Sequence, residues 1–314
     1  MATRGALSVL GHARPAAGAR LRQALGPDAV LGYALLSPAV LYILALVGYP
    51  FLLALYFSLS NATVAGGDVE FVGLANYLDL LSDSVFRKGL LNSLTFTFGS
   101  AVLKGVLGIG LAFLLLRDLP GKKIIRGFLM LPWTLPISLS VLGWKWMFDP
   151  QFSVINYLGR QIGLFSSPSP DWLGDPTYAF IAVLITNVWR GFPFGAVIVL
   201  AGLTSIPQDI WDAAKVDGAG FFNRWHSIVT PMIAPILFVG LIFDVVFTLG
   251  DLTVIYLLTN GGPMNATDTL PTLAFRIGIL GGDLARGAAT ALVLFPMLLV
   301  AIVVLLRLLR RREV

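Results

Sequence analysis

Asp244, Phe247, Thr248 and Asp251 stand in a stretch that is otherwise almost wholly apolar. Their spacing is i, i+3, i+4 and i+7, which at 3.6 residues per turn puts all four on one face of a helix. Two carboxylates accept hydroxyl protons, a hydroxyl exchanges them, and an aromatic ring covers the apolar face of a sugar. A stripe of this composition suits a polyhydroxylated solute. A charged side chain at mid-membrane costs about 3 kcal/mol on insertion scales, so such residues face a bundle interior or a wet path. Two readings stand open: the acids line a solute path, or they pair internally with Arg190 or Lys104 and hold the bundle together. On the first, carboxylates would repel a phosphorylated cargo and favour a neutral sugar or polyol.

A second candidate segment is Trp189-Arg190-Gly191-Phe192-Pro193-Phe194. Gly191 and Pro193 weaken a helix, and broken backbone at that depth is tolerated only against protein or a water-lined cavity. This places a path near Asn187, Gly191 and Phe194, with a plain proline kink beside a structural Arg as the other reading. Lys145 lies near a span end, where its chain can snorkel.

Other chemistries are excluded by their missing parts. The chain has no cysteine, which removes disulfides, thiolate metal sites and cysteine nucleophiles. Its two histidines, His12 and His226, are far apart in sequence, and no metal site is expected. The phosphate-cradling pattern G-x-x-x-x-G-K-[ST] is absent, as are HExxH and GxSxG, so no nucleotide site or catalytic constellation is expected.

The elements that must position these residues are long apolar helices. Of 314 residues 57% are apolar and 12% charged, and the mean hydropathy is +0.83. A soluble domain is about a quarter charged, so this is an all-α integral membrane chain. A span needs roughly 20 mainly apolar residues, and six segments qualify: 32–59, 90–116, 124–148, 178–203, 231–259 and 284–306. Fourteen Lys and Arg flank the spans on one side, among them Arg4, Arg117, Lys215 and Arg307, against five on the other. The positive-inside rule then makes both termini and the loop 204–230 cytoplasmic. The pI of about 9.6 is thus a topology signal, not a sign of nucleic acid. Residues 1–28 read as a flexible cytoplasmic tail, the first span as an uncleaved anchor, and 29–314 as one membrane domain.

Loop 204–230 carries the compact polar stretch Asp212-Ala213-Ala214-Lys215-Val216-Asp217-Gly218-Ala219-Gly220. Ser205 can cap a helix with Pro207 in its first turn. Ile206, Ile210, Ala213 and Ala214 are spaced for one apolar or small-residue face on a helix of about 12 residues. Gly218 fits the left-handed residue that closes such a helix. A second short helix follows, with Phe222, Trp225 and Val229 on one side, and Pro231 opens the next span. Asp212 and Asp217 disfavour an element lying in anionic headgroups. A helix–turn–helix elbow that docks another protein is the better expectation.

This loop resembles the EAA loop of ABC importer permeases: Asp212-Ala213-Ala214, then Gly218, Ile228 and Thr230-Pro231 at the family's spacing, with Asp212 in place of Glu and Thr230 in place of Leu. Phe71-Val72-Gly73-Leu74 with Asn76-Tyr77, Leu131-Pro132-Trp133, Leu135-Pro136, Trp189 to Pro193, and Leu258-Thr259-Asn260-Gly261-Gly262-Pro263 resemble the carbohydrate-uptake branch, most closely the maltose-type and glycerol-3-phosphate-type first permease. Arg286 departs from the aromatic residue many relatives carry. The resemblance implies a type I ABC importer permease fold with six transmembrane helices in a bacterial cytoplasmic membrane. It implies pairing with a second homologous permease, two cytoplasmic ATPases that bind ATP and Mg, an extracytoplasmic solute-binding protein and a carbohydrate solute. Asp212, Ala213, Ala214, Asp217, Gly218 and Ala219 would then form the ATPase-coupling elbow, and Asn187, Gly191, Phe194, Asp244, Phe247, Thr248 and Asp251 the substrate path. A secondary transporter or channel with Asp244 and Asp251 as ion sites is the alternative.

Overall fold

The computed structural model describes residues 26–117 and 120–310. The tail arginines Arg4, Arg14, Arg20, Arg22, Arg311 and Arg312, and His12, lie outside the described residues. In chain order the helices are α1 (Pro27–Ile43), α2 (Tyr49–Ser58), α3 (Ala75–Ser82), α4 (Ser84–Leu116), α5 (Lys122–Thr134), α6 (Ile137–Met147), α7 (Val154–Gln161), α8 (Pro176–Ser205), α9 (Gln208–Val216), α10 (Phe221–Arg224), α11 (Thr230–Leu249), α12 (Thr253–Leu258), α13 (Leu270–Phe275), α14 (Leu284–Leu292) and α15 (Leu294–Arg310). Single π-turns at Leu44–Gly48 and Trp225–Val229 join α1 to α2 and α10 to α11. Each stands just before a proline, Pro50 or Pro231. A proline has no N–H to donate and crowds the carbonyl four residues back, so the turn widens there.

The described residues divide into two units, one ending at Ala54 and one beginning at Leu55. In the first, the described helix is apolar all round and exposed along its length. A soluble protein does not leave such a surface in water, so the helix faces lipid or another apolar partner.

Among the described residues five helices are long and apolar enough to cross a bilayer: Val30–Ser58, Ser84–Leu116, Pro176–Ser205, Phe222–Leu249 and Leu284–Arg310. The expected third span is not one helix. Residues Lys123–Thr134 and Ile137–Met147 meet at a bend of 91°, and they complete six spans if the pair crosses as a unit. Leu135 stands before Pro136, is forced to an extended backbone (ψ 142°) and ends α5.

Two further expectations are corrected. The helix around Gly191 and Pro193 is unbroken over the 30 residues of α8. The fifth span closes at Leu249 and Gly250 and does not run to 259; Asp251 then starts the short α12, its Oδ1 accepting the amides of Thr253 and Val254 at 2.9 and 3.2 Å.

In residues 55–314, α4 and α8 form the main crossing. It is close because of Gly108, where a Cβ would stand 3.1 Å from the Ala196 nitrogen; small residues let membrane helices approach in this way. One buried cluster, including Phe96, Phe148, Trp172, Val183 and Ile255, fills one end of the bundle. Another, of Ala112, Val199, Leu203, Ile206, Val229 and Ile233, fills the elbow end.

The segment 258–269 is a tightly tied turn. Asn92 donates from its Nδ2 to the carbonyls of Ala266 and Asp268, both at 2.9 Å, and Arg276 pairs with the fully buried Asp268. Asp268 Oδ1 has no partner, and burial pushes this carboxyl above the ordinary carboxylate range, against the pull of Arg276. Arg286 also has a structural account. It reaches Asp83 at 3.4 Å, and Asp83 caps α4 by accepting the Val85 amide, so the pair ties α14 to the start of α4.

Candidate functional site

All of the expected path residues meet at one polar cavity of about 370 Å³. Asn187, Gly191 and Phe194 come from α8, Asp244, Phe247 and Thr248 from α11, and Asp251 from the turn that follows. The helical stripe therefore holds for three of its four members. Asp251 reaches the same cavity through the turn at Gly250, not by continuing the helix.

The acids are not free. Lys104, from the middle of α4, donates to Asp244 Oδ1 at 2.8 Å and to Thr248 Oγ1 at 2.9 Å, with only 8% of its side chain exposed. Asn187 donates from its Nδ2 to Asp251 Oδ2 at 3.1 Å. Of the two readings left open by the sequence, internal pairing with Lys104 thus holds for Asp244, and the pair also lines the cavity. Lys104 crosses α8 at Gly191, where a Cβ would stand 2.6 Å from the Lys104 Cε. Gly191 is needed for clearance, not to weaken its helix.

Lys104, Arg190, Trp133, Ile137, Leu252 and Thr253 also line the cavity and were not expected as path residues. The available signal for Lys104 was a charge in the middle of α4, whose other basic residues, Arg87 and Lys88, stand in its first turns. Trp133 stacks flat on Phe194 with ring centroids 4.4 Å apart, and the Arg190 guanidinium lies 5.7 Å over the same indole. With Lys104 and Arg190 facing Asp244 and Asp251, the charged lining balances. Net carboxylate repulsion of an anionic cargo does not follow, contrary to the sequence reading.

Three polar atoms of the lining residues are buried without a partner: Asn187 Oδ1, Arg190 Nε and Asp244 Oδ2. Buried polar groups are nearly always satisfied, so three orphans at one cavity mark a place where water or a ligand completes the bonding. Phe247 is 62% exposed, with Phe243 stacked beside it. Two acceptors, a cationic donor and open aromatic surface are the groups that bind a hydroxylated ring.

The elbow forms as α9 and the turn after it. The Gly218 φ is +67°, its amide donates to the Lys215 carbonyl at 3.1 Å, and the Ala219 amide reaches back to Ala214 at 3.0 Å. This paired closure satisfies the last carbonyls and needs a left-handed residue, which glycine supplies without strain. Ser205 does not cap α9; it is the last residue of α8, its hydroxyl bonded to Gly202, and α9 spans nine residues instead of about 12.

The apolar face also differs from its expected composition. Ile206 and Ala214 are buried against the chain, whereas Ile210 and Ala213 are exposed. The outward stripe is Asp209, Asp212, Ala213 and Val216, with Val216 88% exposed. Phe222, expected beside Trp225 and Val229, is instead 83% exposed. Asp212 accepts Lys215 Nζ at 2.8 Å and Gln208 Nε2 at 3.2 Å, bonds that hold its carboxyl below the usual range. Asp217 is exposed at the C-terminus of α9.

Residues 104–314 match the family described as the binding-protein-dependent transport system inner membrane component. The chain is 35% identical over 286 residues to the trehalose/maltose transport system permease protein MalF of Thermococcus litoralis, covering 91% of this chain and 96% of that protein. It is 32% identical to the sulfoquinovosyl glycerol transport system permease protein SmoG of Agrobacterium fabrum, over 91% of this chain and 92% of the relative. In fold it matches a chain of a bacterial ABC transporter involved in the import of the acidic polysaccharide alginate, with a TM-score of 0.78 and 22% identity over 93% of this chain and 99% of that one. The helices are those of a type I importer permease, and the chain belongs to the inner-membrane components of binding-protein-dependent transport systems.

Proposed function

We propose that this chain forms half of the translocation path of an ATP-driven carbohydrate importer. The observation that carries the cargo class is the set of three unpartnered polar atoms at a cavity faced by Trp133 and Phe247. The relatives named for trehalose/maltose and sulfoquinovosyl glycerol support a glycosidic cargo. A balanced charged lining accommodates neutral and anionic sugars alike.

A second, homologous permease supplies the other half of the path. An extracytoplasmic solute-binding protein delivers cargo, as supported by the alginate transporter structure in complex with its periplasmic protein. Two cytoplasmic ATPases bind ATP and Mg, and this chain meets them through α9 and its turn. The outward residues Asp209, Asp212, Ala213 and Val216 form the contact stripe, Asp217 and Ala219 flank it, and Gly218 fixes the angle of the elbow. Ala214 acts from behind, packing α9 onto its own bundle. The spans work as one membrane domain. The ion-coupled alternative has little support in the geometry, because Asp244 is tied to Lys104 and Asp251 to Asn187 and the α12 amides.

The test is uptake of labelled trehalose or maltose into proteoliposomes carrying the assembled complex and its binding protein. Phe247→Ala removes an exposed ring and leaves the packing largely intact, and Asn187→Ala removes one orphan acceptor. An aromatic contact of this kind contributes about 0.5–1.5 kcal/mol, so Phe247→Ala lowers uptake roughly 2–10-fold with assembly unchanged. Full uptake in both variants would refute a cargo contact at this cavity.

A further inference from the structure

At the elbow end lies a second, larger cavity of about 790 Å³, open on one side and bordered by the C-terminal ends of α4 and α8, by α9, and by the segment from α10 into α11. Arg117, Lys215 and Arg224 line it, and among the described residues no carboxylate does. Lys215 is held by Asp212, whereas the side chains of Arg117 and Arg224 have no hydrogen-bond or ion-pair partner among the described residues. The rest of the lining includes the indoles of Trp211 and Trp225 and the apolar surface of Leu203. The cavity is therefore cationic with an apolar lining.

Its depth follows from helix length. The 33 residues of α4 span about 50 Å, against a hydrocarbon core of about 30 Å, so the end at Arg117 reaches the headgroup layer. Tryptophan at that level is the usual interfacial side chain, and basic pockets between membrane helices hold anionic headgroups. We propose that this cavity binds the phosphate of an anionic phospholipid, with Arg117 and Arg224 as the cationic contacts and Trp211, Trp225 and Leu203 against its glycerol and upper acyl groups. Inorganic phosphate offers the same anion without the apolar part. The inference goes beyond the transport reading and needs only that this end of the bundle lie at a bilayer boundary.

The test exchanges the assembled complex into phosphatidylcholine or phosphatidylglycerol and measures the lipid it retains by native mass spectrometry. Retention of phosphatidylglycerol is expected to exceed that of phosphatidylcholine. It should fall about fivefold for each of Arg117→Gln and Arg224→Gln and more in the double variant. Arg117→Lys with Arg224→Lys should keep most of the preference, and Arg160→Gln on α7 should leave it unchanged. Excess inorganic phosphate should displace little lipid; complete displacement would assign the site to a soluble anion and overturn the proposal. Equal retention of the two lipids by the unaltered complex would overturn it without recourse to any variant. So would a double variant that sheds the ATPases while keeping its lipid, because the arginines would then serve the protein partner.

Discussion

Lys104→Met tests the buried pair most directly. The substitution keeps the length and apolar stem of the side chain and removes its 2.8 Å contact to Asp244 and its 2.9 Å contact to Thr248. Deleting one partner of a buried pair costs about 3–5 kcal/mol, because the remaining charge is stranded. A lone acid at a helix centre costs about 2.5–3.5 kcal/mol on insertion scales. Asp244 faces the cavity with 23% of its side chain exposed, so water relieves part of that cost. The expected loss is about 2–3 kcal/mol, read from reversible unfolding of the chain by SDS titration in mixed micelles. Lys104→Met with Asp244→Asn strands no charge and should lie within about 1 kcal/mol of the parent, as paired replacements of buried ions commonly do. Gly191→Ala attacks the same pair from α8, since its Cβ would overlap the Lys104 chain, and should reproduce part of the loss. A single-variant cost below about 0.6 kcal/mol, the mean for hydrogen bonds between membrane helices, would show that the pair contributes nothing as a charge pair. Strict additivity in the double variant would refute the pairing argument in another way.

Gly218 sits at φ +67°, so Gly218→Pro, locked near −65°, breaks the elbow turn. It should abolish uptake and substrate-stimulated ATP hydrolysis while membrane insertion, followed by immunoblot of the membrane fraction, stays normal; Gly218→Ala, strained by about 1–2 kcal/mol, should fall between. The buried Asp268 has a native pKa raised above its unfolded value. The native chain therefore binds the proton more tightly, and the resulting stability is full below the unfolded value and is lost as pH rises through the native one. Protection of the 258–269 turn from amide exchange, after correction for the intrinsic pH dependence, should weaken over that window. Asp268→Asn should flatten the dependence, and an unchanged slope would count against it.

The long spans were legible because about 20 apolar residues in a row have few other uses, and the helices Val30–Ser58, Pro176–Ser205 and Leu284–Arg310 lie close to their expected bounds. The bent third span was not read, although Leu135-Pro136 carried the signal. A hydropathy average gives weight to leucine and little to the geometry that proline imposes on its neighbour. Gly218 was legible for the opposite reason, since a left-handed helix end selects residue type directly. The outward face of α9 was not, because Leu203 and Val229, which pack at this end of the bundle, come from other helices. The segment Phe71 to Tyr77 entered only as a resemblance, and the structure gives it a local cause. Asn76 donates to the carbonyls of Ser58 at 3.0 Å and Ser60 at 2.8 Å, and Gly73 takes a φ of +62° to make the turn.

The unbroken α8 bears on how the elbow and the cavity act together. The helix carries Asn187, Arg190 and Gly191 at the cavity and ends at Ser205, two residues before α9. From Asn187 to Ser205 is about 27 Å of continuous helix. On the other side of the elbow, the run from Phe222 to Leu249 carries Asp244 and Thr248 to the same cavity. The proposed coupling element is thus joined by a short covalent connection to each of two cavity walls. Ile206, Leu203, Val229 and Ile233 pack those walls together near the elbow. A helix broken at Pro193 would absorb a push at Ser205 as bending, whereas an intact one carries it to Asn187. The compliance then belongs to the π-turn at Trp225–Val229, which lies in only one of the two walls. On the proposed coupling, a displacement of α9 would move the α8 wall as a rigid rod and the α11 wall through a softer joint. The bond most exposed to that difference is the one from Asn187 on α8 to Asp251 just past α11, and with it the bonds by which Lys104 of α4, packed on Gly191 of α8, holds Asp244 and Thr248.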